Sequence, residues 1–146
     1  MPRHSEKTKI LLVEDSDDDA FFFDLALRKT QWASERIHVI DGRQAVDYLE
    51  TSAKEEKCPD IIFLDLHMPK MTGLELLKIL KADADLSHIP VVICTDSKLV
   101  KEMDECKRLG AAEVISKPAS FLLIKYEIRN AIKAIKATRE SQRVRA

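Results

Sequence analysis

Glycine is scarce in this 146-residue chain: Gly42, Gly73 and Gly110 are the whole supply, and no loop that cradles phosphates can be assembled from them. Nucleotide binding therefore has no support. Cysteine is equally sparse. Cys58, Cys94 and Cys106 are odd in number and show no CxxC spacing, which argues against a disulfide framework or a thiol-redox motif and leaves reduced packing cysteines. Long apolar runs are missing too. The opening MPRHSEKTK leads into Ile10 to Val13, too brief for a signal-peptide core or a membrane span, so a soluble cytoplasmic protein with no membrane attachment is expected. Net charge is nearly absent: 24 Lys and Arg against 25 Asp and Glu leave -1, and the total points to no particular partner.

What is present is enough for one core. The length is near the commonest size of a single domain, and 45% of the residues are hydrophobic. Charge is uneven locally, with acids at Glu14, Asp15, Asp17, Asp18 and Asp19 and a basic end from Lys133 to Arg145.

Three apolar runs have the length of fully buried strands: Lys9 to Val13, Ile61 to Leu64 and Val91 to Cys94. Arg36 to Ile40 and Ala112 to Ser116 are weaker strands. Helical spacing fills the gaps. It runs over Asp17 to Lys29, opened by acids suited to a helix N-terminus, and over Gln44 to Ser52; Leu74, Leu77 and Leu80 mark a third face. A fourth helix spans Lys98 to Leu109 and is stopped by Gly110; a last one starts near Ser120, with Ile124, Ile128, Ala131 and Ile135 on one side. Strand and helix alternating in this way imply right-handed crossovers and a parallel sheet covered on both faces, a doubly wound α/β fold. The expected layout is a disordered N-terminus over 1–7, one domain over 8–135, and a basic helical extension or tail over 136–146 that frays.

In such a sheet, ligands bind beyond the carboxyl ends of the strands. There the chain places Glu14 and Asp15, then Asp65, Thr95 and Lys117. Each alone has an ordinary explanation as a helix cap, a turn former or a solvated lysine. Their convergence on one rim is harder to explain that way. Clustered carboxylates repel, and taking them out of water without a cation is costly. Hard oxygen ligands with room for water suit Mg²⁺. A calcium loop at Asp15, Asp17 and Asp19 fails, because its sixth position is Ala20 and its twelfth is Ala26.

LLVEDSDDD, IIFLDLHMPKMTG, VVICT and ISKP resemble, in order and spacing, the motifs of response-regulator receiver domains of two-component signalling. The resemblance implies a flavodoxin-like (βα)5 fold with strand order 2-1-3-4-5. It also implies a phosphoryl group accepted by Asp65 from a sensor histidine kinase or phosphotransfer protein, so that the chain assists its own modification without being an enzyme in the turnover sense. Mg²⁺ would be held by Asp15, Asp65, the backbone carbonyl of His67 and, through water, Glu14. Thr95 and Lys117 would contact the phosphoryl group, and the Lys117-Pro118 bond is a candidate for cis. HVIDGRQAVDYL and VVICTDSK are similar to small receivers encoded with bacterial phytochrome kinases, which points to such a kinase as partner. The output would be a protein contact or onward phosphotransfer. No DNA-binding domain is expected, and the last helix would permit a homodimer.

Three residues depart from the family pattern. Val114 stands where many receivers carry a switching aromatic, Asp96 follows Thr95 where a small residue is usual, and His67 is either a histidine that touches the phosphoryl group or its attacking water or simply an exposed histidine on the rim. Phe21, Phe22 and Phe23 cannot all face the core. With Phe22, Phe23, Ala26 and Leu27 inward, Phe21 and Leu25 would form an outer anchor for a kinase helix. The enzyme alternative is a haloacid-dehalogenase-like phosphatase: Asp15-Ser16-Asp17 has its DxD spacing but lacks the usual Gly-Thr after it.

Overall fold

The structure is a computed structural model that describes residues 7–32, 34–96, 99–117 and 121–145. Strand and helix alternate throughout: β1 (Thr8–Val13), α1 (Asp17–Lys29), β2 (Ser34–Val39), α2 (Gly42–Lys54), β3 (Ile61–Asp65), α3 (Gly73–Ala82), β4 (Val91–Thr95), α4 (Val100–Arg108), β5 (Glu113–Ser116) and α5 (Phe121–Arg145). The strands pair in parallel in the order β2-β1-β3-β4-β5, as expected.

The period-2 alternation of the strands divides the core in two. Leu11, Val13, Ile62, Leu64, Val91 and Ile93 face α2, α3 and α4, where Leu49, Leu77 and Cys106 meet them. Ile10, Leu12, Ile61, Phe63, Val92, Cys94 and Ile115 face α1 and α5, against Phe23, Leu27, Ile128 and Ile132. The Phe23 and Phe63 rings meet edge-on with centroids 5.0 Å apart, a geometry the aromatic quadrupole favours.

Side-chain caps set the helix starts. Ser16, Asp41 and Thr72 accept the N–H groups of Asp19, Gln44 and Glu75, opening α1, α2 and α3, each cap being worth about 1 kcal/mol. The Asp41 cap moves the start of α2 back to Gly42 from the expected Gln44, and Ile40 leaves β2 because its N–H bonds the Gln44 side chain at 3.0 Å. Expected helix residue Lys98 lies outside the described residues, as do Pro118 with its candidate cis bond and, apart from Lys7, the expected disordered N-terminus.

One expectation for α1 is corrected. Ala20, Phe23, Ala26 and Leu27 form its buried stripe. Phe22, set about 100° round the helix from Phe23, falls off that stripe and is 43% exposed. At the other end of the chain α5 continues past Ile135 to Arg145, and Arg139 in this basic stretch bonds Asp60 at 3.1 Å.

Candidate functional site

The sheet changes direction between β1 and β3, since β2 lies on one side of β1 and β3 on the other. At such a switch point the connections leave toward opposite faces and open a crevice at the strand ends. Glu14 and Asp15 follow β1, and Asp65 closes β3. One oxygen from each of the three carboxylates lies within 4.8 Å of the others. Glu14 and Asp65 are buried and Asp15 is exposed, so the cluster has an open side.

Backbone contacts hold these acids in place. The Glu14 N–H donates to the Val39 carbonyl at 3.0 Å, extending the β1–β2 ladder by one residue. The Glu14 carbonyl accepts from His38 Nε2 at 2.7 Å. On the β3 side, Leu66 and Met68 return to the core, each 5% exposed, while the backbone of His67 bonds the Asp65 carboxylate. The loop closes where the Gly73 N–H donates to the Leu66 carbonyl at 2.9 Å.

Lys117 brings the far side of the site in. Its ammonium lies 3.2 Å from Glu14 Oε1, 3.2 Å from Asp19 Oδ2 and 3.8 Å from Asp65 Oδ1. The direction follows from strand parity: Ile115 points toward α1 and α5, and Lys117, two residues on, leaves the strand on that side. Its N–H bonds the Thr95 carbonyl at 2.6 Å, which ties the end of β5 to that of β4. Thr95 itself is fully buried.

Burial and like charge govern the protonation of this group. Desolvation first, and the neighbouring Asp65 second, push the Glu14 carboxyl up to about 7. Desolvation also raises Asp65, against the opposing pull of Lys117. Lys117 loses some solvation too, but Glu14, Asp65 and Asp19 together hold its ammonium above the ordinary lysine value. The cysteines stand apart from this chemistry. Burial pushes the Cys94 thiol up to about 12, which leaves it protonated and unreactive near neutral pH.

The remaining expected residues sit around this centre. Asp96 is exposed just past Thr95, and Val114 is half-buried against the layer of α2, α3 and α4. The His67 ring is exposed and reaches Glu102 of α4 at 3.4 Å. On α1, Phe21 is 61% exposed and its edge meets the Phe22 ring, while Leu25 is half-buried. The exposed aromatic pair is therefore Phe21 with Phe22, and Leu25 is the lesser part of that surface. Sequence reasoning missed Asp19, His38 and Glu102 as partners of site residues. Asp19 carried no local signal of this role, because its place in the acidic first turn of α1 already had an explanation in the helix dipole.

The response regulator receiver domain family matches residues 10–129. The chain belongs to that family. It is similar to the polar-differentiation response regulator DivK of Brucella anthropi, 32% identical over 111 residues, covering 76% of this chain and 85% of that protein. It is also 34% identical over 115 residues to the rice two-component response regulator ORR1, covering 76% of this chain and 49% of the relative, so the receiver spans about half the length of that protein. Among solved structures, the phosphorylated cyanobacterial phytochrome response regulator RcpA superposes with a TM-score of 0.80 at 30% identity, covering 91% of this chain and 96% of that one. The Mn²⁺-bound form of the response regulator Rcp1 gives 0.72 at 30% identity, over 87% and 92%.

As a receiver, the protein is a phosphoacceptor module of two-component signalling. Receivers bind a divalent metal, and the acidic cluster here fits one. Its donors are hard oxygens, two of them buried, and the Glu14 carboxyl is raised by burial first and by the neighbouring Asp65 second, both of which a bound cation would offset. The described residues form one receiver domain without a DNA-binding module, and among them no helix is long and apolar enough to cross a membrane.

Proposed function

We propose that Asp65 is the phosphoacceptor. The observation that carries this reading is the meeting of Glu14, Asp15 and Asp65 with Lys117 at the ends of β1, β3 and β5. An Asp65 oxygen attacks the phosphorus of a phosphohistidine, the P–N bond breaks with its electron pair left on the imidazole, and an acyl phosphate forms on the carboxylate. Attack by a carboxylate on an anionic phosphoryl group works against charge repulsion, so positioning and positive charge supply most of the catalysis.

Asp15, Asp65 and the His67 carbonyl, with Glu14 through water, are the ligands we assign to Mg²⁺. Bound there, the cation supplies charge that offsets the repulsion between acceptor and donor. Lys117 supplies a second positive charge for a phosphoryl oxygen, and the Thr95 hydroxyl a hydrogen bond to another. Asp96, directly after Thr95, adds a negative charge on the approach path, and the small Val114 leaves the switch without an aromatic reporter. The chain performs no steady turnover of its own; the family match leaves the phosphatase alternative without support.

The donor we favour is a bacterial phytochrome kinase, a reading supported by the likeness to the cyanobacterial phytochrome response regulator RcpA. Phe21, with Phe22 and Leu25 beside it, is the apolar surface assigned to the kinase helix. The setting is cytoplasmic, and the output is a protein contact or phosphoryl relay, compatible with a homodimer through α5. Treating the protein with Mg²⁺ and acetyl phosphate, then trapping the acyl phosphate by borohydride reduction, tests the assignment. Reduction at position 65 supports it, and reduction at any other residue contradicts it.

A further inference from the structure

Lys117 has a carboxylate partner that belongs to neither the metal cluster nor the acceptor. Three acids surround its ammonium, and two of them, Glu14 and Asp65, are members of the metal-binding cluster. The third is Asp19, at 3.2 Å. Asp19 is fixed on the first turn of α1, where its own N–H donates to the Ser16 hydroxyl at 3.2 Å. An ammonium has three N–H donors. Glu14 and Asp19 each accept at 3.2 Å, whereas Asp65 at 3.8 Å lies beyond hydrogen-bond reach. The cation is therefore held on the α1 side of the acceptor.

We propose that Asp19 is a positioning residue for phosphoryl transfer, restraining Lys117 against α1 so that the lysine engages a phosphoryl oxygen at Asp65 only when the Asp19–Lys117 ion pair opens. The inference rests on the phosphoacceptor reading of Asp65. Positive charge placed where negative charge develops lowers the barrier to transfer. A carboxylate that holds this charge back slows the step. Asp19 thus sets the rate at which the receiver charges, from a position that touches neither the metal cluster nor the reacting phosphorus.

Single-turnover phosphorylation by acetyl phosphate at saturating Mg²⁺, followed by intact mass, tests the inference with three variants. Asp19→Asn removes the charge while keeping the shape at an exposed helix start. Asp19→Glu keeps the charge. Asp18→Asn removes a charge from the same turn, at an exposed residue that is not one of the three acids around Lys117. The expected result is a maximal rate raised about two- to fivefold in Asp19→Asn, the range of a partly exposed ion pair. Asp19→Glu should stay near the wild-type rate and Asp18→Asn should leave the maximal rate unchanged. A maximal rate unchanged or lowered in Asp19→Asn overturns the inference, as does an equal gain in Asp18→Asn, which would mark a general charge effect on the anionic donor. If those results come with a mass gain that Asp65→Asn abolishes, the inference fails alone; a wild-type chain that gains no mass overturns the phosphoacceptor reading and this inference with it.

Discussion

A Cβ added at Gly73 would stand 2.3 Å from the carbonyl oxygen of Asp65. That oxygen is backbone at the end of β3, so it cannot swing aside as the tip of a side chain could. The start of α3 is thereby pressed against Asp65, and the glycine is required for lack of space. Gly73→Ala should cost about 1–3 kcal/mol of stability, read by urea denaturation, and should slow phosphorylation because the loop carrying His67 must move. Unchanged stability would show that the two elements are less tightly joined.

The raised Glu14 carboxyl predicts a pH dependence. Its ordinary value of 4.5 rises to about 7 in the metal-free fold, so between these values the folded state holds more protons than the unfolded one. Stability of the metal-free protein should therefore fall as pH rises from about 4.5 to about 7 and then level off. Asp65, raised by burial, acts in the same direction. Lys117 titrates far above this window. Glu14→Gln should flatten much of the slope in thermal melts, and Mg²⁺ affinity should grow with pH through the same range because the ligand must lose its proton. A slope that persists undiminished in Glu14→Gln would refute the assignment.

Most of the fold was legible because the strands announce themselves. Ile61 to Leu64 and Val91 to Cys94 are unbroken apolar runs, and their exits place Asp65 and Thr95 on one rim without further information. Less legible were contacts that join elements distant in sequence. Asp19 meets Lys117 across 98 positions, and no local pattern encodes that pairing. Phe22 was misplaced for a different reason: within a run of three phenylalanines, hydrophobicity alone cannot say which one the stripe takes. Ala20, a small residue that lets α1 approach the sheet, decides it in favour of Phe23.

Asp96 is exposed directly after the buried Thr95, and the proposed function puts its charge on the path of an anionic donor. Asp96→Ala should speed phosphorylation by acetyl phosphate, by about two- to fivefold at low salt and less at high salt, since exposed charges are screened. Stopped-flow fluorescence or quench-flow mass measurement would read it. Equal rates of phosphorylation and dephosphorylation in variant and wild type would remove Asp96 from the account.

Phe21, 61% exposed beside Phe22, predicts a split between donors. Phe21→Ala should slow transfer from a phosphorylated bacterial phytochrome kinase at least about tenfold, corresponding to a truncated interface anchor, and leave the rate with acetyl phosphate unchanged. Equal losses with both donors would mean that the substitution disturbs the site itself.

The central claim is that Asp65 carries the phosphoryl group. Intact-mass measurement after incubation with Mg²⁺ and acetyl phosphate tests it most directly. The expected result is a gain of one phosphoryl group that is lost without the metal and absent in Asp65→Asn; the same gain in Asp65→Asn would overturn the assignment.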